Sequence, residues 1–382
     1  MLTRRESLAT VVAQPLRLPG RDSSRPVRIG VVGGNFGASF QWHLHPNARV
    51  TAVCDLRDDR LNRLTQVYRC GTTFKDYRQF LRNRELDAVA LFTPAPLHVE
   101  MAIQALEAGK HVISAVPAGL TLDELERLLE AVRRTGLRYM MAETSYYRPE
   151  IILSREWARE GKFGTIFYAE AEYHHEGLES LMYEPDGSPT WRFGYPPMLY
   201  PTHSTGMVIP VTGERLVEVQ AVGWGDQHAV LRTNRYKNPF WNTTGFFKTS
   251  GGHCARISVF WHVAAGGTER AQFYGDRLSF LMARPERSPN TVIRISDGKV
   301  AIESYQVPDF FERLPETLRV KTGHGNSHTF ITHEFVSAIL ENRHPAVNVW
   351  EAIAYTAPGI VAHQSALQGG VSLKIPDFGV AP

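Results

Sequence analysis

The stretch Val27-Arg28-Ile29-Gly30-Val31-Val32, followed at once by Gly33-Gly34-Asn35-Phe36-Gly37-Ala38, decides how this chain folds. Its first half is an apolar run typical of a buried parallel strand, and its second half is a glycine-rich turn that predicts a following helix. A further strand ends at Asp55, about twenty residues later, where a dinucleotide-binding fold needs a carboxylate for the adenosine ribose. The pattern therefore predicts cofactor contacts from Gly33, Gly34, Asn35, Phe36, Gly37 and Asp55.

Two features of this motif leave alternatives open. Asn35 stands where the usual G-x-G-x-x-G/A spacing has its second glycine, so a tight turn without a ligand is the alternative. Asp55 favours NAD over NADP, because a carboxylate repels a 2′-phosphate, whereas the nearby Arg57 favours the opposite choice.

Bulk properties are those of an ordinary globular protein. The chain has 382 residues, 43% of them hydrophobic and 21% charged, with a net charge of +3. This length fits about two domains. The composition shows neither a basic stripe for nucleic acid nor an apolar run long enough for a membrane span. We expect a cytoplasmic protein. We expect residues 1–26 to form a poorly ordered leader, and their Arg4-Arg5 pair leaves export through a degenerate twin-arginine signal as the alternative.

Periodicity divides the remainder into two domains. Residues 27–145 alternate strand and helix, which predicts a Rossmann-type doubly wound parallel sheet, with strands at 27–32, 50–54, 87–92, 111–114 and 138–142. Residues 146–382 predict an α+β domain that binds substrate and forms oligomers, with a large open, mainly antiparallel sheet and a hairpin turning at Gly275-Asp276. The helices predicted at 327–341 and 349–367 pack back at the end of the chain.

Several blocks of the first domain together resemble the Gfo/Idh/MocA oxidoreductase family. They are Leu91-Phe92-Thr93-Pro94-Ala95-Pro96-Leu97-His98, Ala108-Gly109-Lys110-His111-Val112 and Ser114-Ala115-Val116-Pro117-Ala118. The resemblance implies bound NAD, with contacts around it from Thr93, Pro94, His98, Val116 and Pro117. It also implies a second domain with an open sheet, in agreement with the periodicity.

One departure from the family pattern changes the expected chemistry. Sugar dehydrogenases of the family carry Glu-Lys-Pro where this chain has Ala115-Val116-Pro117, and valine cannot move a proton. The Val-Pro-Ala variant, Met140-Met141-Ala142-Glu143 and Leu199-Tyr200-Pro201-Thr202-His203 resemble the family's NAD-dependent glycosidase branch instead. That likeness implies an active-site set of Glu143, Tyr173, His175, Tyr200 and His203, with Glu143 also near the cofactor.

The implied cycle oxidises a sugar hydroxyl at C3, removes the acidified C2 proton, expels the C1 substituent, adds water and returns the hydride. His203 is the expected base for the hydroxyl, since histidine titrates near neutrality, and Tyr173 or Tyr200 the expected group at C2. Trp191 and Arg192 are expected to contact the carbohydrate. In a regular strand His174 points away from His175, so only one of them faces the site.

Three hypotheses remain open for the function: a glycosidase-like enzyme with retained NAD, a conventional sugar or cyclitol dehydrogenase, and a sugar- or NAD-binding protein without catalysis. No metal is expected, because the spacing of His328 and His333 does not place them on one helical face. The expected partners are a small carbohydrate or glycoside and further copies of the chain, as a homodimer or homotetramer.

Overall fold

A computed structural model describes residues 25–175, 177–264, 268–284 and 288–382. Residues 1–24 of the predicted leader lie outside these ranges. The first domain forms a six-stranded, all-parallel sheet in the order β3-β2-β1-β4-β5-β6. Its strands and helices are β1 (Val27–Val32), β2 (Ala48–Cys54), α1 (Asp58–Tyr68), β3 (Thr73–Phe74), α2 (Tyr77–Leu81), β4 (Ala88–Leu91), α3 (His98–Glu107), β5 (His111–Ser114), α4 (Leu122–Thr135) and β6 (Tyr139–Met141). This strand order confirms the predicted Rossmann-type sheet.

The segment after the glycine turn differs from the prediction. The described segment between β1 and β2 contains no α-helix. It forms two 3₁₀ turns instead, Phe36–Ser39 and Trp42–Leu44. The reason is the packing of aromatic residues, because Phe40 and Trp42 are fully buried and Phe40 stacks on Phe92 with ring centroids 4.3 Å apart. A regular helix would not direct these closely spaced rings into one core.

The second domain contains a nine-stranded, mostly antiparallel sheet among the described residues, in the order β14-β13-β12-β11-β7-β10-β9-β8-β15. Its elements are α5 (Pro149–Arg159), β7 (Ile166–His174), α6 (Thr202–Thr212), β8 (Leu216–Trp224), α7 (Ala229–Arg232), β9 (Asn242–Thr249), β10 (Cys254–Phe260), β11 (Thr268–Gly275), β12 (Leu278–Leu281), β13 (Thr291–Ser296), β14 (Lys299–Ser304), α8 (Ser327–Leu340), α9 (Val349–Leu367) and β15 (Leu373–Lys374). The predicted open sheet is confirmed. The β11–β12 hairpin turns at 276–277, one position later than predicted, since Gly275 still pairs with Ile166 of β7.

The carboxy-terminal helices join the two domains. In front of α9, the Met141 amide donates to the carbonyl of Val347 over 3.0 Å, and the Ala118 amide donates to Oγ1 of Thr356. Gly359 of α9 lies so close to the turn before α6 that a Cβ there would collide with the carbonyl oxygen of Met198. The start of α6 is therefore fixed against both the carboxy-terminal helices and the end of β6.

Within the described ranges, no helix has the length and apolar character needed to cross a membrane. The cellular compartment stays a prediction.

Candidate active site

The glycine turn packs tightly against neighbouring backbone of the protein. Gly33 has a φ of +96°, and a Cβ on it would collide with the carbonyl oxygen of Phe92. A Cβ on Gly34 would likewise collide with the carbonyl oxygen of Arg60. The Gly34 amide donates to Oδ2 of Asp55 over 2.6 Å, so the carboxylate lies directly at the turn. Only glycine fits here, which agrees with a turn that admits a pyrophosphate.

A buried histidine holds the next part of this site. His98 lies between two backbone carbonyls, with Nδ1 2.8 Å from the oxygen of Pro117 and Nε2 2.8 Å from that of Thr93. It is 1% exposed and does not border the cavity described below. His98 therefore lies between the loops after β4 and β5. Burial lowers its pKa, so the neutral ring can donate to one of the two carbonyls. Thr93 does border the cavity, and its Oγ1 is a buried oxygen without a hydrogen-bond partner among the described residues.

These residues fit the predicted cofactor. The glycine turn passes so close to the backbone of Phe92 and Arg60 that it has no room for a Cβ, and the Thr93 hydroxyl lacks a partner among the described residues that a bound dinucleotide would supply. Gly33, Gly34, Asp55 and Thr93 are the groups that would hold NAD.

A cavity of about 450 Å³ lies between the two domains. The cofactor wall, as we call its Rossmann side, consists of Asn35, Phe36, Arg60, Phe92, Thr93, Pro94, Ala115, Val116, Ala142 and Thr144. The substrate wall consists of Tyr173, His175, Leu178, Ser180, Leu181, Tyr183, Glu184, Thr190, Trp191, Arg192, Tyr195, Tyr200, His203, Trp261 and His324. The volume is sufficient for a small ligand beside part of a cofactor.

His203 is the central ionisable group of the substrate wall. It lies in the first turn of α6, and its Nδ1 is 2.8 Å from Oε1 of Glu143. Glu143 is completely buried just after β6, and its Oε1 also accepts from the Ser145 amide over 2.8 Å. The close approach depends on Gly206, where a Cβ would lie 2.7 Å from Cγ of Glu143. Glu143 does not border the cavity, so it acts on the site through His203.

A second carboxylate faces the same imidazole. Glu269 of β11 lies with Oε1 3.8 Å from Nδ1 of His203 and accepts a hydrogen bond from the Ser145 hydroxyl. Its Oε2 pairs with Arg148 over 3.0 Å. The histidine therefore has two carboxylates on its Nδ1 side, which leaves Nε2 as the nitrogen that can exchange a proton with a ligand.

The ionisation of this group follows from burial and charge. Burial opposes the imidazolium, but Glu143 and then Glu269 outweigh it, so the pKa of His203 is raised above its ordinary value. Burial would raise the pKa of Glu269, but Arg148 and His203 outweigh it and hold that pKa below its ordinary value. Glu269 is therefore a carboxylate at neutral pH and favours a charged His203.

Aromatic side chains surround His203. The rings of Tyr173 and Tyr200 lie 4.6 Å and 5.4 Å from the imidazole, centroid to centroid. Burial raises the pKa of both phenols; for Tyr200, Arg192 partly opposes this effect. Both tyrosines are therefore protonated at neutral pH and can donate a hydrogen bond.

The two histidines at the end of β7 separate as the strand alternation predicts. His175 borders the cavity beside Tyr173, whereas His174 stacks on Phe260 with ring centroids 4.4 Å apart, away from the cavity. Only His175 is available to a ligand.

The loop between β7 and α6 contributes the outer part of the substrate wall. The guanidinium of Arg192 lies over the ring of Trp191, 4.0 Å from its centroid, so the cation covers one face of the indole and leaves the other face for a ligand. Glu184 of this loop pairs with Arg57 over 3.3 Å, which connects it to the Rossmann domain two residues after Asp55.

The structure brings together most of the residues selected from the sequence. The predicted residues that border the cavity are Asn35, Phe36, Thr93, Pro94, Val116, Tyr173, His175, Trp191, Arg192, Tyr200 and His203. The predicted residues that do not border it are Gly33, Gly34, Gly37, Asp55, His98, Pro117 and Glu143. Of these, Glu143, His98 and Asp55 contact residues of the site instead, and the roles of all of them stay predictions.

Sequence reasoning missed Glu269 and His324. Glu269 shares its strand face with Ala271 and Phe273, and a carboxylate on an apolar face was the available signal. Among the residues that the structure describes, no three His, Cys, Asp or Glu side chains are grouped to hold a metal ion.

The fold and site define a two-domain, dinucleotide-dependent oxidoreductase. Residues 27–143 match the oxidoreductase family with an NAD-binding Rossmann fold (Gfo/Idh/MocA), and residues 295–381 match the C-terminal domain of glycosyl hydrolase 109. The chain thus contains a Rossmann domain that matches the Gfo/Idh/MocA oxidoreductases and a carboxy-terminal segment that matches the C-terminal domain of glycosyl hydrolase 109.

The chain is also similar to proteins named for glycosyl hydrolase family 109. A glycosyl hydrolase family 109 protein of Solibacter usitatus is 25% identical, covering 92% of this chain and 88% of its own. One of Shewanella amazonensis is 33% identical over 201 residues, covering 48% of this chain and 44% of its own.

Solved structures share the fold. Levoglucosan dehydrogenase in complex with NADH and levoglucosan superposes with a TM-score of 0.78 at 19% identity, covering 92% of this chain and 100% of that one. Scyllo-inositol dehydrogenase of Lactobacillus casei, with bound NAD(H) and scyllo-inositol, has a TM-score of 0.71 at 17% identity, covering 92% of this chain and 99% of that one.

Proposed function

We propose that this protein oxidises a carbohydrate hydroxyl at C3 within a glycosidase-like cycle that retains its NAD. The observation that carries the proposal is the buried Glu143–His203 pair, 2.8 Å apart, at a cavity that also borders Asn35 and Thr93 of the cofactor wall. A base that reaches a sugar hydroxyl and a nearby dinucleotide site are the two requirements for moving a hydride from that carbon.

His203 is the base in this proposal. Bound NAD supplies the acceptor for the C3 hydride and later returns it. His203 takes the hydroxyl proton on Nε2 while Nδ1–H remains bonded to Glu143, and Glu143 stabilises the imidazolium that forms. Val116 stands where the family's sugar dehydrogenases carry their lysine, and valine cannot accept a proton. His203 therefore takes over the role of that lysine.

The neighbouring aromatic groups bind the sugar and supply a proton. Trp191 offers an apolar ring face and Arg192 a forked donor, the combination that a pyranose needs for stacking and hydrogen bonding. The protonated phenols of Tyr173 and Tyr200 can donate to the oxygen that leaves C1. Whether either faces C2 stays a prediction, although their raised pKa values favour a donor over a base.

The glycosidase-like cycle is preferred over a plain dehydrogenase for two reasons. The carboxy-terminal domain matches that of glycosyl hydrolase 109, and the full-length relatives are named for that family. A sugar or cyclitol dehydrogenase is the second candidate, supported by the shared fold of levoglucosan and scyllo-inositol dehydrogenases and by the presence of one competent base.

The first experiment is to denature the purified protein and assay the released cofactor, then to screen glycosides with and without added NAD. We expect NAD(H) in near-equal molar amount to protein, release of free sugar without net NADH, and exchange of C2–H with D₂O. Stoichiometric NADH without glycoside cleavage would replace this function with a dehydrogenase. Binding of NAD without turnover on any glycoside would leave a non-catalytic binding protein.

We also propose that the protein forms a homodimer or homotetramer through the nine-stranded sheet. Helices α6 and α9 pack on one face of that sheet, and the other face exposes Val222, Trp224 and Phe246 at 62%, 45% and 55%. Large exposed apolar side chains on one sheet face favour a protein partner. Light scattering of the protein and of the variant Phe246→Glu measures this: we expect dissociation of the variant, and a monomeric unmodified protein would contradict the proposal.

A further inference from the structure

A strained loop at the cavity presents a second histidine. His324, Gly325 and Asn326 have φ values of +53°, +65° and +70°, so three successive residues are left-handed and two of them are not glycine. The Oδ1 of Asn326 accepts from the Thr322 amide over 2.9 Å, which helps to fix the loop just before α8. Non-glycine residues remain in this conformation only where the surroundings enforce it, and such positions concentrate at functional sites.

Hydrogen bonds determine the tautomer of His324. The Nδ1 of His328 lies 3.1 Å from the carbonyl oxygen of Ser39, and a carbonyl only accepts, so this Nδ1 carries the proton. In a neutral His328, Nε2 is then an acceptor, and it lies 3.0 Å from Nδ1 of His324. His324 must therefore donate from Nδ1, which leaves the lone pair on its Nε2.

The surroundings keep both rings neutral near pH 7. Burial and, to a smaller extent, the neighbouring His324 lower the pKa of His328 to about 4. Burial also lowers the pKa of His324; Glu269 and Glu143 oppose this effect, whereas His203 and Arg148 add to it. A neutral His328 is the condition for the tautomer derived above.

We propose that Nε2 of His324 is the base that removes the proton from C2 of the oxidised sugar. This inference rests on the proposed function, which requires a second base besides His203. His324 borders the same cavity as His203 and comes from a different element, and it is supported by the chain His324–His328–Ser39. Tyr173 and Tyr200 hold their protons too tightly to serve as this base.

The step balances within the cycle. The C2–H proton goes to Nε2 of His324, the C–H electron pair forms the C1=C2 bond, and the C1 substituent leaves with its bonding pair and takes a proton from a phenol. Water then adds its oxygen to C1 and returns a proton to the phenolate, while His324 returns its proton to C2. The C3 ketone is finally reduced by the stored hydride and reprotonated by His203. The net reaction is hydrolysis of the glycoside.

The hydrogen-bond chain can be tested without substrate. In ¹⁵N NMR spectra of histidine-labelled protein, we expect His324 with a bare Nε2 and a protonated Nδ1, assigned by the loss of its signals in His324→Gln. The variant His328→Phe keeps a ring next to Phe40, which stacks on His328 at 4.8 Å, but removes the acceptor. His324 should then become a mixture of tautomers. Unchanged His324 signals in His328→Phe would overturn the hydrogen-bond chain.

The catalytic role is tested by isotope exchange. With a glycoside that the unmodified protein cleaves, His324→Gln should still reduce bound NAD on mixing but should lose C2–H exchange with D₂O by about 10²–10⁴-fold. His328→Phe should lower kcat more than it raises KM. Retained exchange in His324→Gln would overturn the assignment of His324 while leaving the proposed function intact. No exchange in the unmodified protein would overturn both, although the NMR result would still decide the hydrogen-bond chain.

Discussion

The two walls of the cavity are built in different ways. The cofactor wall is supported from behind mainly by backbone: a glycine turn without room for side chains, and two loops that pack against His98. The substrate wall depends on ionisable side chains that arrive from separate elements, with His203 on α6 and His324 before α8, and with Glu269 behind them on β11. A change in the first wall should therefore affect binding of the cofactor, whereas a change in the second should affect the chemistry.

The largest expected effect is on the substrate wall. His203→Asn removes the base but keeps a polar side chain, and we expect kcat to fall about 10³-fold while bound NAD is retained. The matched control is His253→Asn, because His253 also pairs with a glutamate, Glu214, over 2.8 Å but lies outside the cavity. Steady-state kinetics measures the loss of kcat, and the cofactor assay measures whether NAD remains bound. Equal losses in both variants would show that the change acts through folding.

The next largest effect is expected on cofactor binding, from a change in the glycine turn behind the cofactor wall. Gly33→Ala places a Cβ against the Phe92 carbonyl at a φ of +96°, which costs about 1–3 kcal/mol of strain or forces the turn to move. We expect NAD affinity to fall by one to two orders of magnitude, measured by calorimetry on stripped protein. Gly71→Ala is the control, since nothing lies within 4 Å of a Cβ there. An unchanged affinity in Gly33→Ala would contradict a pyrophosphate at this turn.

A smaller effect is expected in the pH dependence. Glu143 raises the pKa of His203, so Glu143→Gln should lower that pKa and move the acidic limb of kcat/KM to lower pH. The limb moves to lower pH because His203 acts as a base only in its neutral form, which is present above its pKa. A shift of about one unit corresponds to about tenfold in proton affinity. Glu214→Gln, in the pair outside the cavity, should leave the limb in place, and a limb that moves to higher pH in Glu143→Gln would exclude His203 as its source.

The smallest effect concerns cofactor choice. Asp55→Asn keeps one acceptor for the Gly34 amide but loses the charge that repels a 2′-phosphate. We expect NAD to bind up to about tenfold more weakly and the preference over NADP to shrink. Asp58→Asn, an exposed carboxylate three residues later, should change neither affinity. Titrations with both cofactors provide the measurement, and tighter NAD binding by Asp55→Asn would contradict the ribose contact.

The sequence predicted the structure best where a single short segment determines the element that forms. The five longer strands of the Rossmann domain are present as predicted, because apolar runs are local signals. The prediction of a helix after the glycines was wrong, because the burial of Phe40 and Trp42 is decided by tertiary packing. β3 has only two residues and gives no periodic signal.

The candidate site was predictable only in part for a related reason. Motif resemblance found His203 and Tyr173, but nothing local connects Glu269 to His203, 66 positions earlier in the numbering, or His324 to the cavity. Such contacts exist only once β11 pairs with β7 and α8 packs against the first domain. Their discovery requires the fold.

The single imidazole of His98, held between the oxygens of Thr93 and Pro117, has a consequence for the energetics of cofactor capture. Because one buried ring packs against both loops, little conformational entropy would be lost there on binding of NAD. Preorganisation of this kind favours slow dissociation, which a cofactor that is reduced and reoxidised in place requires.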